Sequence, residues 1–211
     1  SRWKPPTIAA ISRPPETFLA CFAMFTMPDG SPFETKFRGH VSRTVMAGHL
    51  LFMFGTVFFV ALATVFGLGA LFGTTNLRVP LIFVSIAGLF TLVGGYPFGF
   101  AMNWYAFGTI WEGVPFGTDA TDNKTQILLV YFLLVALCGV GTITKGKCGR
   151  DVFGTKALSA MAVLSFVVML GIYLIPHSIQ FSPDTTYTVC YSTIAFCALV
   201  YLFGFFTSRR A

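Results

Sequence analysis

The chain has 211 residues, of which 55% are hydrophobic and only 10% charged, and its net charge is +6. A soluble domain usually carries about a quarter charged residues, so a soluble globular protein is excluded and too few polar residues remain for a second, soluble domain. The basic residues are spread over loops and ends, with no dense basic run beside exposed aromatics, which speaks against nucleic-acid binding and for topology signals and lipid headgroup contact.

Residues 1–43 form a polar, Pro-rich amino-terminal arm. Its start, Ser1-Arg2-Trp3-Lys4-Pro5-Pro6, leads to no apolar run before Arg13-Pro14-Pro15-Glu16, so no secretory signal is expected. One apolar island, Phe18–Met27, is too short to span a bilayer and is expected as a short interfacial helix. Pro28-Asp29-Gly30-Ser31-Pro32 then makes a turn.

Residues 44–211 carry five stretches without Asp, Glu, Lys or Arg: Thr44–Leu77, Val79–Trp111, Thr125–Thr144, Ala157–Pro183 and Thr185–Ser208. Each is long enough for a membrane crossing, which takes about 20 residues at roughly 1.5 Å rise. The expected fold is therefore all-α: a bundle of five transmembrane helices preceded by the arm. The first crossing holds Gly48, Gly55, Gly67, Gly69 and Gly73, small residues that let helix backbones approach closely in lipid. The second is overlong and should kink at Gly94-Gly95-Tyr96-Pro97. Its far end, Asn103 to Trp111, has the composition of an interfacial aromatic belt. The polar 112–124 loop leads to the third crossing, for which Asp122 or Asn123 is the expected cap, with Gln126 completing an approximate capping box.

Lys and Arg counts set the expected orientation. Seven (Arg78, Lys145, Lys147, Arg150, Lys156, Arg209, Arg210) flank the crossings on one side, against four (Lys36, Arg38, Arg43, Lys124) on the other. The carboxyl terminus is thus expected inside and the amino terminus outside. His40, His49, His177, the 112–124 loop, Trp104 and Trp111 then share the outer face.

The histidines are the first candidates for chemistry. Haem b needs one or two imidazoles and a close-packed apolar pocket. Gly48 and Gly55, seven residues apart, leave a groove in which a flat ring could lie, with His49 paired to His177 or His40 as axial ligands. The other reading is that these interfacial histidines bond loops or headgroups. Asp119 and Asp122 are candidate ligands for a metal without a porphyrin; the same loop lacks the Gly and terminal Glu of an EF-hand. The aromatic stretch Tyr96–Trp111 could floor a quinone or lipid pocket, with Asn103, Trp104 and Tyr105 as polar contacts. The five cysteines form no CxxC or CxxCH motif, and Cys138, Cys190 and Cys197 fall in apolar stretches as packing residues. The absence of charge within the crossings speaks against a proton pump or ion-coupled antiporter, and no GxSxG elbow is present.

The expected function is an integral membrane subunit of a multi-subunit electron-transfer complex. It would act as an anchor, bind haem b or contact quinone near the outer face, and dock other subunits through the arm and the 112–124 loop. The alternatives are a cofactor-free scaffold subunit, a small neutral-solute channel and a membrane metalloenzyme.

Overall fold

The computed structural model of the protein describes residues 8–11, 22–26, 32–36, 40–145, 151–176 and 181–208. Among the described residues the membrane domain is helical, with five helices long and apolar enough to cross a membrane: Arg43–Leu71, Arg78–Phe107, Ala120–Cys138, Thr155–Tyr173 and Pro183–Ser208. Four of them begin within two residues of the start of a charge-free stretch, and the helices end up to ten residues before those stretches do. We denote them α1 (Arg43–Leu71), α2 (Arg78–Val93) continued through a π-helical turn (Gly94–Phe98) into α3 (Gly99–Phe107), α4 (Ala120–Cys138), α6 (Thr155–Tyr173) and α7 (Pro183–Ser208). The short helix α5 (Val140–Lys145) follows the break at Gly139.

The arm departs from the helical expectation. Its described residues form an antiparallel sheet in the order β1 (Ile8–Ile11), β2 (Phe22–Thr26), β3 (Pro32–Lys36). Strand β2 falls largely in the carboxyl-terminal half of the island expected as an interfacial helix, and pairs with β3 from Phe22↔Lys36 to Thr26↔Pro32. Ten residues are too few to hold a helix alone, whereas Phe and Thr favour a pleated strand with a partner. The rest of the island and the residues between β2 and β3 lie outside the described residues.

In the bundle, α1 packs on α2 and α6, both of these pack on α4, and α7 lies against α4. The α1–α2 seam is aromatic. Phe52, Phe59 and Phe66 recur every seven residues along α1 and meet Phe83, Phe90 and Phe98 of the second crossing. Ring centroids are 5.2 Å apart for Phe52–Phe90, 5.0 Å for Phe59–Phe90 and 5.5 Å for Phe66–Phe83. Glycines make room for them. A Cβ at Gly48 would collide with the Phe98 ring, and one at Gly55 with the Phe90 ring. Lower on the same helix, Gly67 faces Val163 and Ala162 of α6. In the bundle interior Leu81, Val84, Leu128, Phe132, Val135 and Leu158 are sealed from solvent and lipid. The free thiols Cys138, Cys190 and Cys197 are buried, consistent with packing roles; Cys21 and Cys148 lie outside the described residues.

The predicted kink is a π-helical turn. Pro97 has no N–H and its ring opposes the carbonyl four residues earlier, so the ladder widens locally instead of breaking. Gly94 and Gly95 let the widened turn approach its neighbours: a Cβ on Gly94 would lie 2.6 Å from Met53 Cε, and one on Gly95 would strike Thr125 of α4. Helix α3 ends at Gly108, whose left-handed backbone (φ 75°) lets its N–H reach the Trp104 carbonyl at 3.0 Å.

At the end of the bundle that carries Arg78, Asp151 ties the chain together. Its carboxylate accepts from the Thr142 N–H at 2.8 Å and from the Thr142 hydroxyl at 2.5 Å. Arg78 Nε donates to the Ile143 carbonyl at 3.2 Å.

Candidate functional site

The opposite end, where α1 and α4 begin, holds the polar groups that matter most. Helix α4 starts earlier than the charge-free stretch implied. Asp119 is its N-cap, accepting from the N–H groups of Thr121 (2.8 Å) and Asp122 (3.0 Å). The cap expected at Asp122 or Asn123 is therefore corrected to Asp119. Those two side chains instead bind the loop that folds back over the helix start. The Asp122 carboxylate accepts from the Glu112 N–H at 2.7 Å and from Asn103 Nδ2 at 3.1 Å, and Asn123 Oδ1 accepts from the Val114 N–H at 2.8 Å. Gln126 Oε1 has no partner among the described residues, so no capping box forms.

This earlier start places two ionisable groups inside a crossing where sequence counting found none. Asp122 is 7% exposed and Lys124 is 9% exposed, both in the first turns of α4. Lys124 Nζ donates to the Ile175 carbonyl at 2.8 Å, just beyond the end of α6. The carbonyl end of a helix carries partial negative charge, which offsets part of the cost of burying an ammonium.

His49 lies about six residues inside α1, roughly 9 Å along the helix. Its Nδ1 is 2.9 Å from the carbonyl of Gly94, the first residue of the π turn. A carbonyl can only accept, so Nδ1 carries the proton and, in the neutral ring, Nε2 carries a lone pair. Nε2 has no partner among the described residues.

His49 and Lys124 line one cavity of about 330 Å³ between α1, α2, α4 and α6. Thr91, Thr121, Thr125 and Tyr173 add polar groups to its wall, while Met53, Val57, Leu128 and Ile172 make the rest apolar. Leu50 and Phe54 of α1 and Tyr173 of α6 line it and are themselves exposed on the bundle surface. The cavity thus opens sideways, toward lipid. Two of the Thr hydroxyls are spent locally: Thr91 donates to the Ala87 carbonyl and contacts Thr56 across the seam, and Thr125 donates to the Thr121 carbonyl.

Other candidates sit elsewhere. His40 is exposed just before α1, and His177 lies outside the described residues. The Gly48 and Gly55 faces, the expected groove for a flat ring, are filled by the chain's own Phe98 and Phe90. A macrocycle there would have to displace both. Among the described residues no group of three or more His, Cys, Asp or Glu is placed to hold a metal ion, and the Asp119 and Asp122 carboxylates are occupied by N–H donors. The Tyr96–Trp111 stretch does form a stacked unit, with Tyr96 and Trp111 rings 5.2 Å apart and 13° from parallel. It does not line the cavity, and Asn103 is committed to Asp122. The outlying Trp104 and Tyr105 are exposed, as an interfacial belt would be.

Fold and site together define a multi-pass membrane protein with a helical membrane domain in contact with lipid and a laterally open cavity near one surface. No known family model, curated protein or solved structure matches the chain.

Proposed function

We propose that the chain is a membrane subunit of an electron-transfer assembly that takes a quinone-type ring from the bilayer into the His49–Lys124 cavity. The observation that carries this reading is the cavity itself. It is apolar over most of its wall, open toward lipid, and furnished with one acceptor and one charged donor from different helices. Its size falls at the small end of the roughly 300–1,000 Å³ typical of ligand sites, enough for a substituted ring whose tail stays in lipid. The charge bias favours this end of the bundle as the outer one, and in this reading the arm and the 112–124 loop would dock partner subunits.

The test is photolabelling of the full chain in native membranes with an azido-quinone. Labelled peptides from the His49 and Ile172–Tyr173 segments are expected, and competition by unlabelled quinone should remove the label. Labelling confined to lipid-facing residues outside the cavity, or no competition, would sink the proposal.

A haem reading draws support from one feature. A ligating imidazole typically donates its other N–H to a carbonyl, as His49 does to Gly94. An oxidised and a dithionite-reduced spectrum of the protein with its native partners decides it. A b-type Soret band lost in His49→Ala would put haem ahead of quinone; a featureless spectrum removes haem.

A further inference from the structure

We propose that the cavity distinguishes the two redox forms of its ring, holding the hydroquinone and disfavouring the quinone. This rests on the quinone reading above and adds a selectivity to it.

The reasoning starts at the Gly94 carbonyl. By accepting from Nδ1 it fixes the tautomer of His49, a residue of the cavity wall, so the neutral ring has only a lone pair left at Nε2. A quinone oxygen also has only lone pairs. Placed against Nε2 it would leave two acceptors facing each other in apolar surroundings, each without a donor. A hydroquinone hydroxyl donates to Nε2 and removes the conflict.

The ring's other oxygen meets the opposite requirement. Lys124 carries three N–H donors, and one is used by the Ile175 carbonyl. Asp119 acts on it only at longer range, with no ion pair to Lys124 among the described residues. The remaining donors suit a hydroxyl oxygen, which accepts through its lone pairs while its proton turns elsewhere. Thr91 and Thr125 do not compete, since their hydroxyl protons already serve the Ala87 and Thr121 carbonyls. The Tyr173 hydroxyl points to Met53 Sδ at 3.8 Å, and Thr121 is the remaining hydroxyl of the wall. Discrimination is assigned to His49, whose Nε2 accepts, and anchoring of the second oxygen to Lys124.

The experiment uses the unmodified full chain in nanodiscs under anaerobic conditions, with binding to empty nanodiscs subtracted. Three decyl-tailed ligands are compared: a para-hydroquinone, its quinone and its dimethyl ether. The hydroquinone should bind at least about tenfold more tightly than either of the others, one well-made hydrogen bond against an unpaired acceptor. In His49→Leu the three affinities should converge, while Lys124→Met should weaken the hydroquinone and the quinone and leave their ratio in place. Equal affinity for all three in the unmodified protein, or tighter binding of the quinone, overturns the selectivity and leaves the site standing. Binding of none overturns the quinone reading and this inference with it. The ligand series needs no variant, so a misfolded His49→Leu would not blunt it.

Discussion

Asp122 and Asp119 sit three residues apart and do different work. Asp119 serves the helix it starts, and losing such a cap typically costs about 1 kcal/mol. Asp122 serves the loop above, accepting from a backbone N–H and from the Asn103 amide in a nearly sealed position. Asp122→Ala strands both donors, so it should destabilise the protein by about 1–3 kcal/mol, more than Asp119→Ala does. Thermal unfolding in detergent ranks the two, and a smaller loss for Asp122→Ala would contradict the loop-anchoring role. Asn103→Ala should give less than additive loss when combined with Asp122→Ala, because the pair shares one interaction. This division of labour was only half legible in the sequence. The Asp-rich helix start stood out, but the loop that folds back over it joins residues about ten apart through side chains, and no local pattern reports that. The same fold-back hid Lys124. Counting charge-free residues began the crossing at Thr125, whereas the N-cap begins it at Ala120.

At the level of helices, glycine and phenylalanine are complementary halves of one seam. The glycines of α1 were legible as close-approach positions. Their partners were not, because Phe90 and Phe98 stand 35 and 50 residues away from Gly55 and Gly48. Gly55→Leu should push Phe90 out of its seat and cost about 1–3 kcal/mol, as overpacking does. Phe90→Ala in the same chain should recover part of that loss, seen as a positive coupling in a double-mutant cycle of unfolding midpoints. Independent, additive effects would mean the two residues do not meet. The π turn is the other element with a task. Its Gly-Gly-Tyr-Pro sequence announced a bend, yet gave no hint that the Gly94 carbonyl would orient a histidine on another helix. Pro97→Ala restores a donor and permits a regular α ladder, which would rotate Gly94 away from His49. The variant should melt no lower than the parent and bind the hydroquinone probe more weakly. Unchanged binding with a raised melting point would show that the π turn is not what sets His49.

For the molecule as a whole, five crossings put the start of α1 and the end of α7 on opposite sides of the membrane. The residues that decide the cavity, His49 and Lys124, belong to the side of the Phe116 loop. The crossings were legible because the bilayer tolerates so few charges that their absence is itself a signal. Sidedness is carried by a smaller quantity, a few Lys and Arg in short loops. It has a direct reporter in two exposed positions at opposite ends of the bundle, Phe116 (84% exposed) and Lys145. With the native cysteines replaced, Phe116→Cys should react with a membrane-impermeant maleimide in intact cells, and Lys145→Cys only after permeabilisation. The reverse pattern would turn the bundle over and give the ring site to the inner surface. Reaction of both from the same side would contradict the crossing count, since α4 and α5 separate the two positions. The outcome also fixes which aqueous phase exchanges protons with a hydroquinone held at His49. That phase is the one bathing the Phe116 loop, and the expected labelling makes it the exterior.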